Sequence, residues 1–280
     1  TAISPLESFE PPVRLVLDYI GDGNKSPRAI AKMPGSGPTW IGGCVSLRDR
    51  QGTPRLVCTY FKIKPPLEAY EVGLAAWNDT RSSFDRLKVI WTKSDSSHNP
   101  PPCPQGHAAF WEDAPGKEWV LFGNPFPTLR CAATFEAWQD PAQWESLKAQ
   151  TTLVSASDQS RVTPHSGSIA WNPYRQRWVT VFEQAFGKSS GWGELWYAEA
   201  ASPTGPWGKT VKVLSHDNYT FYNPRLHPEF TPTNSPVLLF EGTYTTAFAE
   251  HPAPTPRYDY NQILYRLDLD DPRLRPAQEN

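Results

Sequence analysis

The stretch HSGSIAWNPYRQRWVTVFE, residues 165–183, decides the fold of this chain. It consists of an apolar segment, a polar turn that contains Asn and Pro, and a second segment rich in Val and aromatic residues. Two such segments joined by a short polar turn predict an antiparallel β-hairpin. A histidine opens the first strand and a glutamate closes the second. The hairpin therefore places two ionisable side chains at the same end.

Related stretches repeat this pattern along the chain. They are WIGGCVSLRDRQGTPRLVCTYFK (40–62), HAAFWEDAPGKEWVLFGN (107–124) and NPRLHPEFTPTNSPVLLFE (223–241). The openings of three hairpins are evenly spaced, since 165 − 107 and 223 − 165 both give 58. A third apolar segment follows each hairpin (72–79, 131–140, 194–203, 262–271), and a looser fourth follows in the first three units (for example 87–92 and 209–214). Such a repeat predicts an all-β fold, a β-propeller whose blades are three- to four-stranded antiparallel sheets.

The repeat also predicts the domain organisation. We expect a single propeller domain over 1–280, with blades at 40–92, 107–150, 165–214 and 223–274. Residues 1–39 contain candidate strands at 13–20 and 28–33, which either close the ring or form a partial fifth blade. Closure removes exposed sheet edges. Five blades are preferred, and four are the alternative.

Composition excludes several classes of partner. The formal net charge is −2, from 27 basic and 29 acidic residues, so the basic footprint of a nucleic-acid-binding protein is absent. No apolar run approaches the roughly 20 residues of a membrane helix. The chain starts without Met, and we expect a targeting segment to have been removed or to lie outside this sequence. The sequence thus favours a monomer in a secreted or periplasmic location.

The four cysteines allow two readings. Cys44 and Cys58 lie almost symmetrically about a predicted turn and would face each other across two strands, close enough for a disulfide. Cys103 would join a loop to Cys131. Buried free thiols fit the same positions equally well.

The blade geometry predicts where a site would form. The first strand of a blade lines the central channel and the second returns to the same face, so strand openings and strand ends meet there. The positions concerned are Trp40, His107, His165, Asn223, Lys62, Asn124, Glu183 and Glu241. The loops on this face are polar and aromatic, including 184–193 with Trp192 and 215–222 with Tyr222. The longest, 242–260, is of a length that usually carries function.

A short phrase carries a family resemblance. AEAASPTGPW, residues 198–207, resembles a phrase that follows third strands in the five-bladed propeller glycosidases of the arabinofuranosidase and xylosidase type. The resemblance implies a carbohydrate-active glycoside hydrolase. That family places two Asp and one Glu at inner-strand openings, whereas Trp40, His107, His165 and Asn223 stand at the openings here. The acidic triad of the family is therefore not visible at these positions.

Most glycoside hydrolases use two carboxyl groups, one to protonate the leaving oxygen and one to activate water or attack the anomeric carbon. Glu183 and Glu241 are the candidates, with Asp259 third and His165 as a further catalytic candidate. The substrate is expected to be a polysaccharide or oligosaccharide. The candidate substrate-binding residues share the same face and are Trp40, His107, Tyr222, Asn223, Arg225, Arg257, Tyr258 and Trp192.

Three alternatives stay open. A polysaccharide lyase would use His165 with Tyr222, Tyr258 or Tyr260 for β-elimination, and Arg225 or Arg257 would neutralise the uronate carboxylate. A non-catalytic glycan-binding or protein-binding propeller would use the same face. No cofactor is expected, although His107 and His165 with Asn223 or Glu241 could bind a divalent cation near the axis. A structural role for each of these polar residues is the competing explanation.

Overall fold

The computed structural model describes residues 2–3, 18–21, 27–93, 99–231, 234–251, 253 and 259–278. It divides into two compact units. Unit 1 contains the described residues within 1–123 and 129–146, and unit 2 contains those within 124–128 and 147–280. The predicted single domain over 1–280 stays a prediction. No helix within the described part of the chain has the length and apolar character needed to cross a membrane.

Unit 1 contains two four-stranded antiparallel sheets, with strands ordered β3-β4-β5-β6 and β10-β9-β8-β7. A further pair, β1 and β2, forms a small sheet of its own. The strands are β1 Ala2–Ile3, β2 Asp18–Tyr19, β3 Thr39–Arg48, β4 Pro54–Lys64, β5 Glu68–Asn78, β6 Ser83–Thr92, β7 His107–Ala114, β8 Lys117–Gly123, β9 Pro127–Ala132 and β10 Glu145–Ser146. A short helix α1, Phe135–Gln139, and a 3₁₀ turn, Pro141–Gln143, lie between β9 and β10.

Unit 2 contains one four-stranded sheet, β13-β14-β15-β16, and one three-stranded sheet, β17-β18-β19, besides the small pair β11-β12. Its strands are β11 Leu153–Val154, β12 Arg161–Val162, β13 Pro164–Asn172, β14 Arg177–Gln184, β15 Glu194–Ala200, β16 Val211–Ser215, β17 Thr220–Leu226, β18 Val237–Thr245 and β19 Tyr260–Asp268. Two 3₁₀ segments are Pro228–Phe230 and Pro272–Ala277.

The predicted architecture agrees with these sheets at the level of the blade. Every predicted hairpin is present, and consecutive strands pair as antiparallel neighbours, as in a propeller blade. Four blade-type sheets are found among the described residues, and the preference for five is not confirmed. The candidate strand at 28–33 is wrong: this segment is irregular, and Ile30 and Met33 are buried against unit 1. Of the candidate strand at 13–20, only Asp18–Tyr19 lies in a described strand.

The third strand predicted at 131–140 is also wrong in its extent. The strand ends at Ala132, and α1 follows. The reason is local, because the side chain of Thr134 accepts a hydrogen bond from the backbone N–H of Ala137 and caps the helix. The helix buries Trp138 completely, so the same apolar residues that suggested a strand serve a helical face.

Each unit has its own apolar core. In unit 2 the buried core comes from β13, β14, β15, β17 and β18, from the residue after β19 and from the C-terminal 3₁₀ segment: Ala170, Val179, Val181, Leu195, Tyr197, Phe221, Leu226, Leu238, Phe240, Leu269, Leu274 and Ala277. Both faces of β15 are buried over its whole length, including the side chains of Glu194 and Glu199. Gly167 of β13 lies against β14, where an added Cβ would stand 2.6 Å from Cα of Phe182. The strand openings in this sheet are therefore held closely against their neighbours.

The four cysteines form no disulfide among the described residues. Cys44 and Cys58 do face each other, as the sequence suggests, because Cys44 lies at a bulge between β3 and β4. A hydrogen bond that the Cys58 thiol donates to the neighbouring Cys44 sulfur, together with burial, raises the pKa of Cys58 well above its ordinary value. Cys103 and Cys131 are both buried, and burial raises their pKa values to about 11 and about 12.

Candidate functional site

The candidate site of unit 2 begins with His165 and Glu183. A bulge between Pro164 and Ser166 interrupts the pairing of β13 with β14, and His165 lies in that bulge. Its Nδ1 is 2.7 Å from Oε1 of Glu183. The side chain of His165 is 39% exposed, whereas that of Glu183 is 0% exposed. A carboxyl group beneath the surface thus holds an imidazole at the surface.

Burial dominates the acidity of Glu183. Loss of hydration raises its pKa to about 7, although the His165 ring pulls in the opposite direction. The backbone N–H of Asn223 and the hydroxyl of Ser166 also lower the pKa of Glu183. Neither group is close enough to Glu183, or well enough aligned with it, to form a hydrogen bond. Oε2 of Glu183 therefore has no hydrogen-bond partner among the described residues. The site therefore contains a buried carboxyl group that can hold or release a proton near neutral pH.

The hydrogen bond fixes the orientation of the imidazole. When Glu183 is ionised, Nδ1–H of His165 donates to it, and Nε2 carries the lone pair. Within the described part of the chain, no other group hydrogen-bonds to the His165 ring. A histidine whose inner nitrogen is held by a buried carboxylate is suited to exchange a proton at its outer nitrogen.

Aromatic rings surround this imidazole. The His165 ring stacks on Trp192 with centroids 4.7 Å apart and planes 18° apart. Three more rings lie around Trp192, with ring centroids 4.3 Å (Phe248), 6.0 Å (Tyr222) and 6.4 Å (Phe186) from its own. We call Phe186, Trp192, Tyr222 and Phe248 the Trp192 platform. Phe186 and Phe248 are 82% and 61% exposed. Clustered, exposed aromatic rings of this kind mark a binding surface.

A buried glutamate holds the loop that carries this platform. Glu194 accepts hydrogen bonds from the backbone N–H of Lys188 and of Ser189, and its Oε1 lies 2.7 Å from Nζ of Lys212. Its Oε2 accepts from Nε1 of Trp196. Burial alone would raise the pKa of Glu194, but Lys212 and the loop donors hold it below its ordinary value. Glu194 is not among the predicted site residues, although a Glu that opens a strand beside a Lys on the next strand is a usable signal in the sequence.

Two asparagines fix the first residues of β13. Oδ1 of Asn124 accepts from the backbone N–H of Gly167 at 2.8 Å, and Oδ1 of Asn223 accepts from the hydroxyl of Ser166 at 3.0 Å. Asn223 lies in a bulge of β17 with φ of 53°, in the left-handed region that Asn tolerates. The structure therefore brings His165, Glu183, Trp192, Tyr222 and Asn223 into one neighbourhood.

Glu241 contacts a different set of residues. His227 is 8% exposed and lies between two carboxylates, with Nδ1 at 2.8 Å from Glu229 and Nε2 at 3.3 Å from Glu241. Burial opposes the charge of His227, but the carboxylates prevail and its pKa is raised. Contact with His227 is the main cause that lowers the pKa of both glutamates against the effect of burial, and the positive charge of Arg225 adds a smaller contribution. Glu241 and its cross-strand neighbour Arg225 thus belong to a charged group centred on His227.

The other predicted site residues have separate positions. Asp259 accepts from the hydroxyl of Thr246 at 2.7 Å and joins the two ends of the 242–260 loop. Trp40 is an exposed residue of β3, and His107 opens β7 with a half-buried side chain, both in unit 1. Tyr260 opens β19 and is exposed. Arg257 and Tyr258 lie outside the described residues.

The predicted cation site stays a prediction. Within the described residues, no three side chains of His, Cys, Asp or Glu are arranged to hold a metal ion. The polar groups nearest to His165 are one carboxyl group and two amides. Together with the aromatic rings of the Trp192 platform, these mostly neutral groups suit an organic ligand.

Comparison with known proteins gives similarity to solved structures alone. No protein-family model matches the chain, and no curated protein matches it. An N-acetylgalactosamine deacetylase from F. plautii, in complex with blood group B trisaccharide, is 11% identical with a TM-score of 0.49, covering 91% of this chain and 77% of the other. An exo-1,5-α-L-arabinanase from a bovine ruminal metagenomic library is 10% identical with a TM-score of 0.48, covering 84% and 76%. An α-L-arabinanase from Cellvibrio cellulosa is 12% identical with a TM-score of 0.44, covering 81% and 73%. Function is therefore argued from the residues of unit 2.

Proposed function

We propose that this chain is a carbohydrate-active enzyme, a glycoside hydrolase whose sugar substrate stacks on the Trp192 platform beside His165. The observation that carries the proposal is the buried Glu183, which holds an exposed imidazole against an aromatic ring. An imidazole used only for packing does not need a fully buried carboxyl partner, because burying that carboxyl group costs free energy.

In the proposed hydrolysis, His165 acts first as an acid and then as a base. Protonated Nε2 of His165 gives its proton to the glycosidic oxygen as the bond from that oxygen to the anomeric carbon breaks. Water adds its hydroxyl to the anomeric carbon and returns a proton to Nε2. Glu183 touches the imidazole rather than the substrate, so it is a positioning residue that stabilises the charged ring. The apolar faces of Trp192 and its neighbours bind the sugar ring and exclude water.

Hydrolysis is preferred to elimination because of the position of Arg225. Elimination from a uronate needs a cation beside the sugar carboxylate, and Arg225 is the cross-strand neighbour of Glu241, whose pKa its charge lowers. Elimination keeps one supporting observation, which is the presence of a histidine base with Tyr222 on the same platform. It is the second candidate.

The test is a panel of plant and microbial glycans, beginning with 1,5-α-L-arabinan, followed by reducing-end release and ultraviolet absorbance together. Release of reducing ends without absorbance is expected. Absorbance at about 235 nm would indicate an unsaturated uronate and therefore elimination. The variant His165→Gln should abolish either reaction, whereas Glu112→Gln, at an exposed residue of unit 1, should not alter it. Activity that persists in His165→Gln would refute the proposed role of the imidazole.

A further inference from the structure

Asn124 and Asn223 lie beside the residues that follow His165 in β13. Both side chains are exposed, and each uses its amide oxygen to hold one of the two residues that follow His165 in β13. They come from different parts of the chain, since Asn124 follows β8 and Asn223 lies in β17. Their convergence on Ser166 and Gly167 fixes both amides relative to the imidazole.

The hydrogen bonds determine which amide atom remains for a ligand. The backbone N–H of Gly167 can only donate, so the group of Asn124 that faces it is the oxygen. The hydroxyl of Ser166 donates to Oδ1 of Asn223 in the same manner. The NH₂ groups of both asparagines therefore remain as donors, and no group among the described residues accepts from either of them.

An acceptor alone would not require asparagine. Asp would accept the same two hydrogen bonds, and a backbone N–H bonds well to a carboxylate. What asparagine adds is a neutral donor at each position. Sugar hydroxyl oxygens accept such hydrogen bonds, and sites that bind sugars combine apolar surfaces with a few placed polar groups.

We propose that the NH₂ groups of Asn124 and Asn223 donate to hydroxyl groups of the sugar bound beside His165, and that this site selects neutral sugars over uronates. The inference rests on the proposed function and specifies its substrate class. The selectivity follows from charge. Arg225 lies directly across from Glu241 in the pairing of β17 with β18, and Glu183, in contact with His165, brings negative charge close to the bound sugar when it is ionised. A sugar carboxylate would meet neutral donors and a nearby negative charge.

The experiment compares Asn124→Asp and Asn223→Asp with wild type. Each variant keeps the accepting oxygen and loses the NH₂ donor. Asn172→Asp is the matched control, because Oδ1 of Asn172 accepts from the backbone N–H of Arg175 at the far end of β13. The probes are methyl α-L-arabinofuranoside, methyl β-D-xyloside, methyl β-D-galactoside and methyl β-D-glucuronide, titrated by NMR and by calorimetry at two salt concentrations.

We expect at least one neutral glycoside to bind wild type more tightly than the glucuronide does. Each site variant should weaken that binding about 10-fold, as expected when a hydroxyl loses its partner, while the control leaves it unchanged. Deoxy forms of the bound glycoside should bind wild type more weakly by a similar factor. This measurement uses wild type alone, so it tests the inference even if a variant does not fold. Unchanged binding in both variants, no loss with any deoxy form, tighter binding of the glucuronide, or no neutral binding to wild type would overturn the inference.

The two proposals fail in different ways. If the variants lose binding while no glycan is turned over, the donor role stands and hydrolysis fails. If turnover is observed and both variants bind and act like wild type, hydrolysis stands and the asparagines only support β13.

Discussion

At the residue scale, the buried carboxyl group of Glu183 is the group on which the proposed chemistry depends. Its Oε1 contacts Nδ1 of His165, and its Oε2 has no hydrogen-bond partner among the described residues. In Glu183→Gln the amide donates to Nδ1, which stabilises the tautomer with hydrogen on Nε2. We expect kcat to fall by roughly 10³-fold with little change in KM, because the wrong tautomer cannot complete the proton cycle. Kinetics on the glycan identified by the panel test this.

The variant Glu183→Gln should also change how stability depends on pH. The pKa of Glu183 is about 7 in the folded chain and higher than the ordinary value of 4.5. The folded state therefore binds more protons than the unfolded state between these values, and the free energy of unfolding falls as pH rises through that window. Because Gln does not titrate, Glu183→Gln should gain stability relative to wild type from pH 5 to pH 8, by about 3 kcal/mol at most. Equal pH profiles in urea unfolding would contradict the buried, protonated carboxyl group.

Trp192 provides the second prediction at this scale. Stacking a sugar on its ring removes on the order of 100 Å² of apolar surface from water, which corresponds to about 2.5 kcal/mol, or roughly 50-fold in affinity. Trp192→Ala should lose this affinity, measured by calorimetry with the same glycosides. Trp171 is the matched control, since it is exposed and lies at the other end of β13. Equal losses in Trp192→Ala and Trp171→Ala would show that the effect is not specific to the platform.

At the element scale, the β14–β15 loop that carries Phe186 and Trp192 depends on Glu194. This residue is 1% exposed and accepts from the loop backbone and from Lys212. Glu194→Gln removes the charge that these donors stabilise. We expect a loss of about 2 kcal/mol in the free energy of unfolding, a red shift of tryptophan fluorescence and weaker glycan binding. Glu145→Gln, which breaks the exposed pair with Arg130, should change stability by less than about 0.5 kcal/mol.

The pH dependence of this loop has the opposite sign to that of Glu183. Because the pKa of Glu194 is below its ordinary value in the folded chain, its contribution to stability is complete above pH 4.5 and is lost as pH falls through the lower, folded value. Acid should therefore disorder the loop in wild type, with the fluorescence of Glu194→Gln already shifted at neutral pH. If the fluorescence of both proteins changed identically with acid, Glu194 would not be the residue that holds this loop.

The elements also show what could be predicted from sequence. The hairpins were predictable because strand alternation and turn residues are local properties, and 165–183 folds as expected. The strand predicted at 131–140 was wrong because a single cap at Thr134 favours a helix over the same apolar residues. The contact of His165 with Glu183 depends on the bulge at His165, because the regular register pairs Ser166 with Glu183. The placement of Glu241 beside His227 depends on side-chain directions after a bulge, which no periodicity reveals.

At the scale of the whole molecule, the two units differ in their cysteine content. Cys44, Cys58, Cys103 and Cys131 all lie in unit 1, whereas His165, Glu183 and the Trp192 platform lie in unit 2. A change of thiol chemistry should therefore affect the stability of unit 1 and leave the chemistry of unit 2 unaltered. The contact between Cys44 and Cys58 makes this difference testable.

We expect mild oxidation to join Cys44 and Cys58, since the two thiols already contact each other across neighbouring strands. The bridge would close a short loop, so the gain is about 2–3 kcal/mol before any strain is subtracted. Cys44→Ser should abolish the gain without creating a buried hydroxyl, because Cys44 is exposed and Cys58 is not. Thermal unfolding of oxidised and reduced protein, with peptide mapping of the bridge, measures this. Turnover should be the same in both states, and a loss of turnover on oxidation would show that the two units are coupled in function.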